Sequence, residues 1–304
     1  MIRLPDAPDR IPHSSFIIGH SASTMTPPLP FLWDRLTADD FADAVRASDG
    51  VALLPLGCLE KHGRHLPLGT DLMISAELCR RAASVEPAVV VPCPPFGLVS
   101  EVRNGPGTLA LRADTLLAVL RDLCADLARN GLAKIVVVNG HGGNQEILRY
   151  FLRERLEEDC PYALYLFRPE WRGDEERRYA AMVGREALPE CGHACIQETP
   201  EVMAIAPETV RMDRVVPEET HRLGRLAALR EAFVSTSVDW YADYPAQIAG
   251  DPTGSTPELG EWLLSLHAEK LVRAIRAVRA DTVTPALLAE YRARSRAPLG
   301  NRQP

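Results

Sequence analysis

Two short segments of the chain concentrate the side chains that bind metal ions. In the first, Glu60, His62, His65 and Asp71 fall within twelve residues. The second, Asn139-Gly-His-Gly-Gly-Asn144, places one histidine among glycines. Carboxylate oxygens and imidazole nitrogens together suit a divalent ion of the zinc or manganese type. A polar loop with solvated charges is the alternative interpretation of the first segment, and the second segment favours the metal site.

A third segment combines a histidine and a carboxylate five residues apart, His193 and Glu198. Thr199 and Pro200 predict the start of a helix directly after them. Glu198 then lies at the positive end of this helix, where anionic or metal-bound oxygens are stabilised. A single histidine is usually a hydrogen-bonded structural group, but its position beside Glu198 makes His193 a candidate for proton transfer.

Strands and helices alternate along the first half of the chain. Short apolar runs bounded by proline, glycine or asparagine predict strands, and apolar residues at helical spacing predict the helices between them. Such alternation is typical of a parallel α/β sheet with right-handed crossovers. The charged segment 213–230 is predicted to be mainly helical. The predicted strands are 51–56, 88–91, 134–139 and 162–167, and the predicted helices between and after them are 72–83, 114–130 and 145–157.

The two metal-binding segments follow the first and third of these strands. In parallel α/β sheets, ligands bind beyond the carboxyl ends of the strands. Because Glu60 and His141 both come just after a strand end, we expect their side chains to meet.

The composition indicates a globular protein. The chain has 304 residues, of which 46% are hydrophobic and 25% are charged, enough to bury a substantial core. We predict one α/β domain over residues 28–304, preceded by a poorly structured arm at residues 1–27. A net charge of -7 gives no basic surface for nucleic acid, so a small-molecule or peptide substrate is favoured.

Cysteine usage and hydropathy predict a location. The seven cysteines are odd in number and scattered, without a C-x-x-C pair, so no disulfide is predicted and a reducing cytoplasm is favoured. No segment approaches 18 consecutive apolar residues, and the sequence therefore predicts no membrane span.

In order and spacing, four segments resemble the creatininase (creatinine amidohydrolase) family. They are 56–71, 139–144, 193–199 and the turn and helix start Gly250-Asp-Pro-Thr-Gly-Ser-Thr-Pro-Glu-Leu-Gly260, and the likeness extends over about residues 31–280. The resemblance implies a three-layer α/β/α sandwich around a mainly parallel sheet. It also implies two divalent metal ions per chain (Zn, Mn or Fe) and a homo-oligomer, often a hexamer.

The resemblance further implies how the ligands are shared. Glu60 and His141 would bind one ion, His62 the other, and Asp71 would bridge the two, with a hydroxide between the ions as the nucleophile. His193 would pass a proton to the leaving nitrogen. One departure is Gly143, which stands where creatininase itself has a glutamate ligand.

The departure at Gly143 has two consequences. Glu198 is the nearest carboxylate that could complete the second ion's shell, with a role as a helix-start carboxylate as the alternative. Creatinine itself is also disfavoured as the substrate. The expected substrate contacts are Lys61, as an anion contact, Glu101 in an irregular glycine-rich loop, and Trp240 in an aromatic cluster that lines a pocket or fills a gap.

The predicted function is a metal-dependent hydrolase that cleaves the C–N bond of an amide or cyclic amide. Three alternatives stay open at this point: opening of a carbocyclic keto-sugar ring of the inosose type, hydrolysis of a formamide or peptide, and a metal-stabilised binding protein without turnover. His65 either orients a ligand or packs in the core.

Overall fold

A four-stranded parallel sheet forms the centre of the protein, which a computed structural model describes for residues 31–184 and 192–300. Each strand pairs in parallel with its neighbour, as the sequence predicts. The predicted arm, residues 1–27, lies outside the described residues. The strands are Val51–Leu56 (β1), Val89–Val90 (β2), Lys134–Asn139 (β3) and Ala163–Phe167 (β4), in the spatial order β2-β1-β3-β4.

Helices cover both faces of this sheet and continue through the second half of the chain. The predicted helix at 213–230 is mostly wrong. Short 3-10 turns occupy 212–214 and 217–219, Pro217 and Gly224 interrupt the segment, and Thr220 is its one buried residue. The α-helices are Ala38–Ala47 (α1), Thr70–Val85 (α2), Ala113–Arg129 (α3), Gln145–Glu154 (α4), Gly173–Met182 (α5), Glu198–Ile205 (α6), Ala227–Glu231 (α7), Asp239–Asp243 (α8), Pro257–Ala280 (α9) and Val283–Arg296 (α10).

Alternate side chains of the sheet enter two separate cores. Residues such as Leu54 and Val137 pack against α3 and α4, whereas Leu53 and Val136, their neighbours along the strands, pack against α2 and α9. Because successive side chains point to opposite faces of a strand, all-apolar strands require helices on both sides. The predicted three-layer α/β/α sandwich is confirmed.

Two glycines allow α2 to begin against the ends of β1 and β3. These strands end side by side, since Leu56 pairs with Asn139. A Cβ atom at Gly57 would lie 2.6 Å from the backbone carbon of Asp71, and one at Gly140 would lie 2.8 Å from the Asp71 carbonyl oxygen. Only residues without a side chain permit this approach, which puts Asp71 between the two strand ends.

A third close approach joins α6 to α9. A Cβ atom at Gly260 would lie 1.8 Å from the carbonyl oxygen of Pro200. The first turn of α6, which begins at Glu198, therefore packs directly on the α9 backbone.

The prediction that no cysteine forms a disulfide is wrong for Cys195. The free cysteines are Cys58, Cys79, Cys93, Cys124 and Cys160, but Cys195 is disulfide-bonded. Spacing along the sequence does not decide which sulfur atoms come within bonding distance.

In the part of the chain that the structure describes, no helix has the length and apolar character needed to cross a membrane. The cytoplasmic location stays a prediction, and so does the single domain over residues 28–304.

The packing of α6 on α9 gives a stability prediction. The methyl group of Gly260→Ala would overlap the backbone of Pro200 in α6. This substitution should lower the free energy of unfolding by about 3 kcal/mol. Urea denaturation followed by far-UV circular dichroism measures the change. Gly173→Ala is the control, because a Cβ atom there meets only Arg177, at 3.4 Å. Equal stability of both variants would contradict the close packing.

Candidate metal centre

One buried carboxylate lies between two imidazole rings. Asp71, in the first turn of α2, is 1% exposed. Its Oδ2 lies 3.0 Å from His141 Nδ1, and its Oδ1 lies 3.0 Å from His62 Nε2. The two oxygens of one side chain therefore face two different histidines, from the segments after β3 and β1.

The first cluster comprises Cys58, Glu60, Asp71 and His141, all buried. Glu60 Oε2 lies 2.9 Å from His141 Nδ1, so the expected meeting of these two side chains occurs. The ligand atoms of the four residues lie within 4.8 Å of one another. Two carboxylates, an imidazole and a thiol at this spacing match the donors that zinc accepts.

The second cluster comprises His62, Asp71 and Glu198. Glu198 Oε2 lies 3.8 Å from His62 Nε2 and accepts a hydrogen bond of 2.5 Å from the backbone N–H of Ala194. Ala194 holds a positive φ of 53°, which turns this N–H toward the carboxylate. Glu198 thus lies beside His62 and Asp71, the two ligands predicted for the second ion. The role of Glu198 as a ligand stays a prediction.

Backbone carbonyls fix the tautomers of both histidines. His62 Nδ1 lies 3.2 Å from the carbonyl oxygen of Glu60, and His141 Nε2 lies 3.1 Å from that of Leu98. A carbonyl oxygen only accepts, so these nitrogens carry hydrogen, and in the neutral rings His62 Nε2 and His141 Nδ1 present lone pairs to the carboxylates.

Lone pairs that face carboxylates need a cation between them. His62 Nε2 is buried and has no hydrogen-bond partner, although Asp71 Oδ1 is close. Ligand atoms that converge without hydrogen-bond geometry fit a shared metal ion. The residues present therefore suit divalent ions in both clusters.

In the metal-free protein, protons take the place of these cations. Burial opposes the charged form of His62, but the carboxylates of Asp71, Glu198 and Glu60 outweigh it and raise its pKa to about 10. Burial likewise opposes charge on His141, and its contact with Asp71 raises its pKa well above the usual value. Metal binding must displace these protons.

The pKa values of the carboxylates shift in the opposite direction, downward. Burial favours neutral Asp71, yet the two histidines hold its pKa well below the usual range. The pKa of Glu60 is also lowered, because its contacts with His141 and His193 outweigh burial.

His193 forms a third group of possible ligands with Glu60 and His62, whose ligand atoms lie within 4.8 Å of one another. Its ring centroid is 4.0 Å from that of His62, and its Nε2 lies 3.0 Å from the carbonyl oxygen of Lys61 and 3.7 Å from Glu60 Oε1. Burial and the neighbouring His62 lower the pKa of His193. A neutral imidazole in this position is able to accept a proton, and the shuttle role stays a prediction.

His65 contacts the start of α6. Its Nε2 lies 3.0 Å from Thr199 Oγ1, next to Glu198. Burial and the charge of His62 lower its pKa to about 4, so the ring is neutral at pH 7. His65 thus connects the first metal-binding segment to the helix that carries Glu198.

Two of the three expected substrate contacts lie near the clusters. The ring of Trp240 meets His193 edge-on at 5.7 Å. Glu101 lies beside Gly143. A Cβ atom added to Gly143 would lie 2.7 Å from Glu101 Oε1 and only 2.5 Å from the carbonyl oxygen of Leu98. The loop around Glu101 therefore fills the space that a side chain at position 143 would need.

Lys61 is different. Its backbone carbonyl accepts from His193, but its side chain lies with Arg64 and Glu219 at a surface pocket that none of the five predicted ligands line. Burial lowers the pKa of Lys61. The anion contact of Lys61 stays a prediction.

Gln247 supports the site and is missed by sequence analysis. It is fully buried with a positive φ of 61°. Its carbonyl oxygen accepts from the Gly63 N–H at 2.6 Å, and its side chain accepts from the Trp240 indole and donates to Asn104. No local pattern marks this residue, because its partners come from distant segments.

Comparison with known proteins agrees with this architecture. The profile of the family described as Creatininase: Creatinine amidohydrolase matches residues 34–275. The creatinine amidohydrolase of Pseudomonas putida is 29% identical over 203 residues, which are 60% of this chain and 74% of that protein. The mycofactocin precursor peptide peptidase of Mycobacterium ulcerans (strain Agy99) is 27% identical over 272 residues, 85% of this chain and 91% of that protein.

A solved structure, of a mutant creatininase of the Zn-Zn type, superposes with a TM-score of 0.67 at 26% identity. The match covers 83% of this chain and 99% of that one. The chain belongs to the creatininase family. It is a hydrolase, as are the relatives named above.

The raised pKa of His62 predicts a pH dependence in the metal-free protein. A group whose pKa rises from 6.5 to about 10 on folding stabilises the folded state below pH 6.5, and this contribution is lost as the pH rises toward 10. Between pH 6.5 and 8.5, His62 should account for a fall of on the order of 2 kcal/mol in the free energy of unfolding.

Urea denaturation of chelator-treated protein at both pH values measures this fall. His62→Gln should lack it, whereas His221→Gln, at an exposed histidine, should retain it. Parallel pH profiles for the wild type and His62→Gln would refute the assignment.

Proposed function

We propose that the chain is a metal-dependent amidohydrolase with two divalent ions, one in each cluster, that share Asp71. The observation that carries this proposal is the position of Asp71, whose two oxygens each lie 3.0 Å from a lone-pair nitrogen of a different histidine. A carboxylate between two cations offsets their mutual repulsion, which is the arrangement of two-metal hydrolases.

Each residue of the proposed centre has a distinct task. Glu60, Asp71 and His141 would hold one ion, and His62, Asp71 and Glu198 the other. Bound there, the ions would supply a water acidic enough to act as the nucleophile at neutral pH and would polarise the amide carbonyl. Zinc, manganese and iron all accept carboxylate and imidazole donors.

His193 is proposed to move the proton. Its lowered pKa favours the neutral ring, in which Nε2–H donates to the Lys61 carbonyl. Nδ1 would therefore accept a proton as the nucleophile attacks and then donate it to the leaving nitrogen. Trp240 packs edge-on against the same ring. Its indole N–H donates a hydrogen bond of 2.6 Å to Gln247 Oε1, which fixes the orientation of the indole. The indole thereby limits the positions open to His193.

The proposed substrate is a small amide or cyclic amide. A peptide bond is the second candidate, because the match to the peptide peptidase extends over 85% of this chain, against 60% for the creatinine amidohydrolase. Both substrates present the same C–N bond to the centre. A homo-oligomer stays a prediction.

Removal of the shared carboxylate tests the proposal. Wild-type protein should contain two divalent ions per chain by elemental analysis, and Asp71→Asn should contain at most one. Its hydrolysis of a panel of cyclic amides, formamides and short peptides should fall at least about 10³-fold, because both ions lose a ligand.

Asp243→Asn is the matched control, because Asp243 is also a buried carboxylate but binds Arg230 away from both clusters. This variant should keep both ions. Two ions in Asp71→Asn, or none in the wild type, would disprove the shared centre.

The proton-transfer role makes a separate prediction. His193→Gln should lower kcat by about 10²- to 10⁴-fold with a smaller change in KM, while elemental analysis still finds two ions. Steady-state kinetics on the best substrate of the panel measures both constants, with His221→Gln as the exposed control. Loss of an ion from His193→Gln would instead make this residue a ligand.

A further inference from the structure

Cys58 is a member of the first cluster for which sequence analysis assigns no role. It follows β1 by two residues and is fully buried. Its Sγ lies 3.2 Å from Asp71 Oδ2 and 3.5 Å from Glu60 Oε2. Gly97 leaves room for this side chain, since a Cβ atom at Gly97 would lie 2.9 Å from Cys58 Cβ.

The spacing of the four donor atoms fits one shared metal ion. Bonds of about 2.0 Å to oxygen or nitrogen and about 2.3 Å to sulfur put neighbouring ligands about 3.3–3.5 Å apart. The two sulfur separations are 3.2 and 3.5 Å, and the two from His141 Nδ1 to carboxylate oxygens are 2.9 and 3.0 Å. Small movements on binding would bring all four atoms to one centre.

Cys58 adds a donor to the three that Glu60, Asp71 and His141 supply to the first cluster. Cys58 reaches the same ion from the end of β1.

We infer that Cys58 binds the ion of the first cluster as a thiolate, as a fourth protein ligand beside Glu60, Asp71 and His141, with a further position left for water. This inference rests on the proposed dinuclear centre. When the ion binds, the S–H bond breaks, the proton leaves to solvent and a sulfur–metal bond forms without any change of oxidation state. A soft thiolate favours zinc or cobalt over manganese at this position.

The contrasting role for Cys58 is that of a thiol that only donates a hydrogen bond to Asp71. Cobalt(II) distinguishes the two roles, because a thiolate ligand gives an intense charge-transfer band in the near ultraviolet that oxygen and nitrogen ligands do not give. The full chain is loaded with cobalt(II) alone, its absorption spectrum is recorded and its cobalt content is measured.

We expect the wild type to show this band and Cys58→Ser to lose it while still binding cobalt. Cys93→Ser is the control, because Cys93 is a free thiol whose nearest polar side chain is that of Ser75, at 3.5 Å, and this variant should keep the band. X-ray absorption of the zinc-loaded wild type should also detect sulfur at about 2.3 Å, and Cys58→Ser should lack it.

The outcomes separate the two proposals. Two bound ions without a thiolate band or sulfur scattering would overturn the role of Cys58 and leave the proposed function standing. Failure of the wild type to bind cobalt or zinc would overturn both. A band that persists in Cys58→Ser would assign the thiolate to another cysteine and refute the inference.

Discussion

The structure depends on the burial of one carboxylate, Asp71, between two imidazole rings. A carboxylate in the interior is unstable unless positive charge and hydrogen-bond donors surround it. His62 and His141 face its two oxygens at 3.0 Å, and backbone carbonyls fix the opposite nitrogen of each ring. Either protons on the histidines or bound cations neutralise the arrangement, and the proposed hydrolytic site is the form with bound cations.

The fold supplies this arrangement through backbone approaches that only glycine allows. Gly57 and Gly140 let the start of α2 meet the ends of β1 and β3, while Gly260 lets the start of α6 pack on α9. Asp71 and Glu198 are thereby carried on the first turns of two helices, where the helix dipole favours negative charge. The apolar layers above and below the sheet hold these helix starts in place.

The parts predictable from sequence were those set by local pattern. The apolar β1 and the all-apolar run 135–138 of β3 indicated a parallel sheet covered on both faces, and the rule that ligands bind beyond strand ends brought Glu60 and His141 together. Contacts made by loop residues away from the strand ends were not predictable. Lys61 lines a separate surface pocket, Cys195 forms a disulfide, and Gln247 supports Trp240 and Gly63 from a distant loop. The charged segment 213–230 buries almost none of its side chains, so its helical propensity did not decide its structure.

The most direct test of the shared carboxylate is anomalous diffraction from crystals of the zinc-loaded protein, recorded at the zinc edge. The account predicts two peaks about 3.5–4 Å apart, one on each side of Asp71, the first bonded to Glu60 and His141 and the second to His62. One peak, or peaks that do not share Asp71, would contradict it.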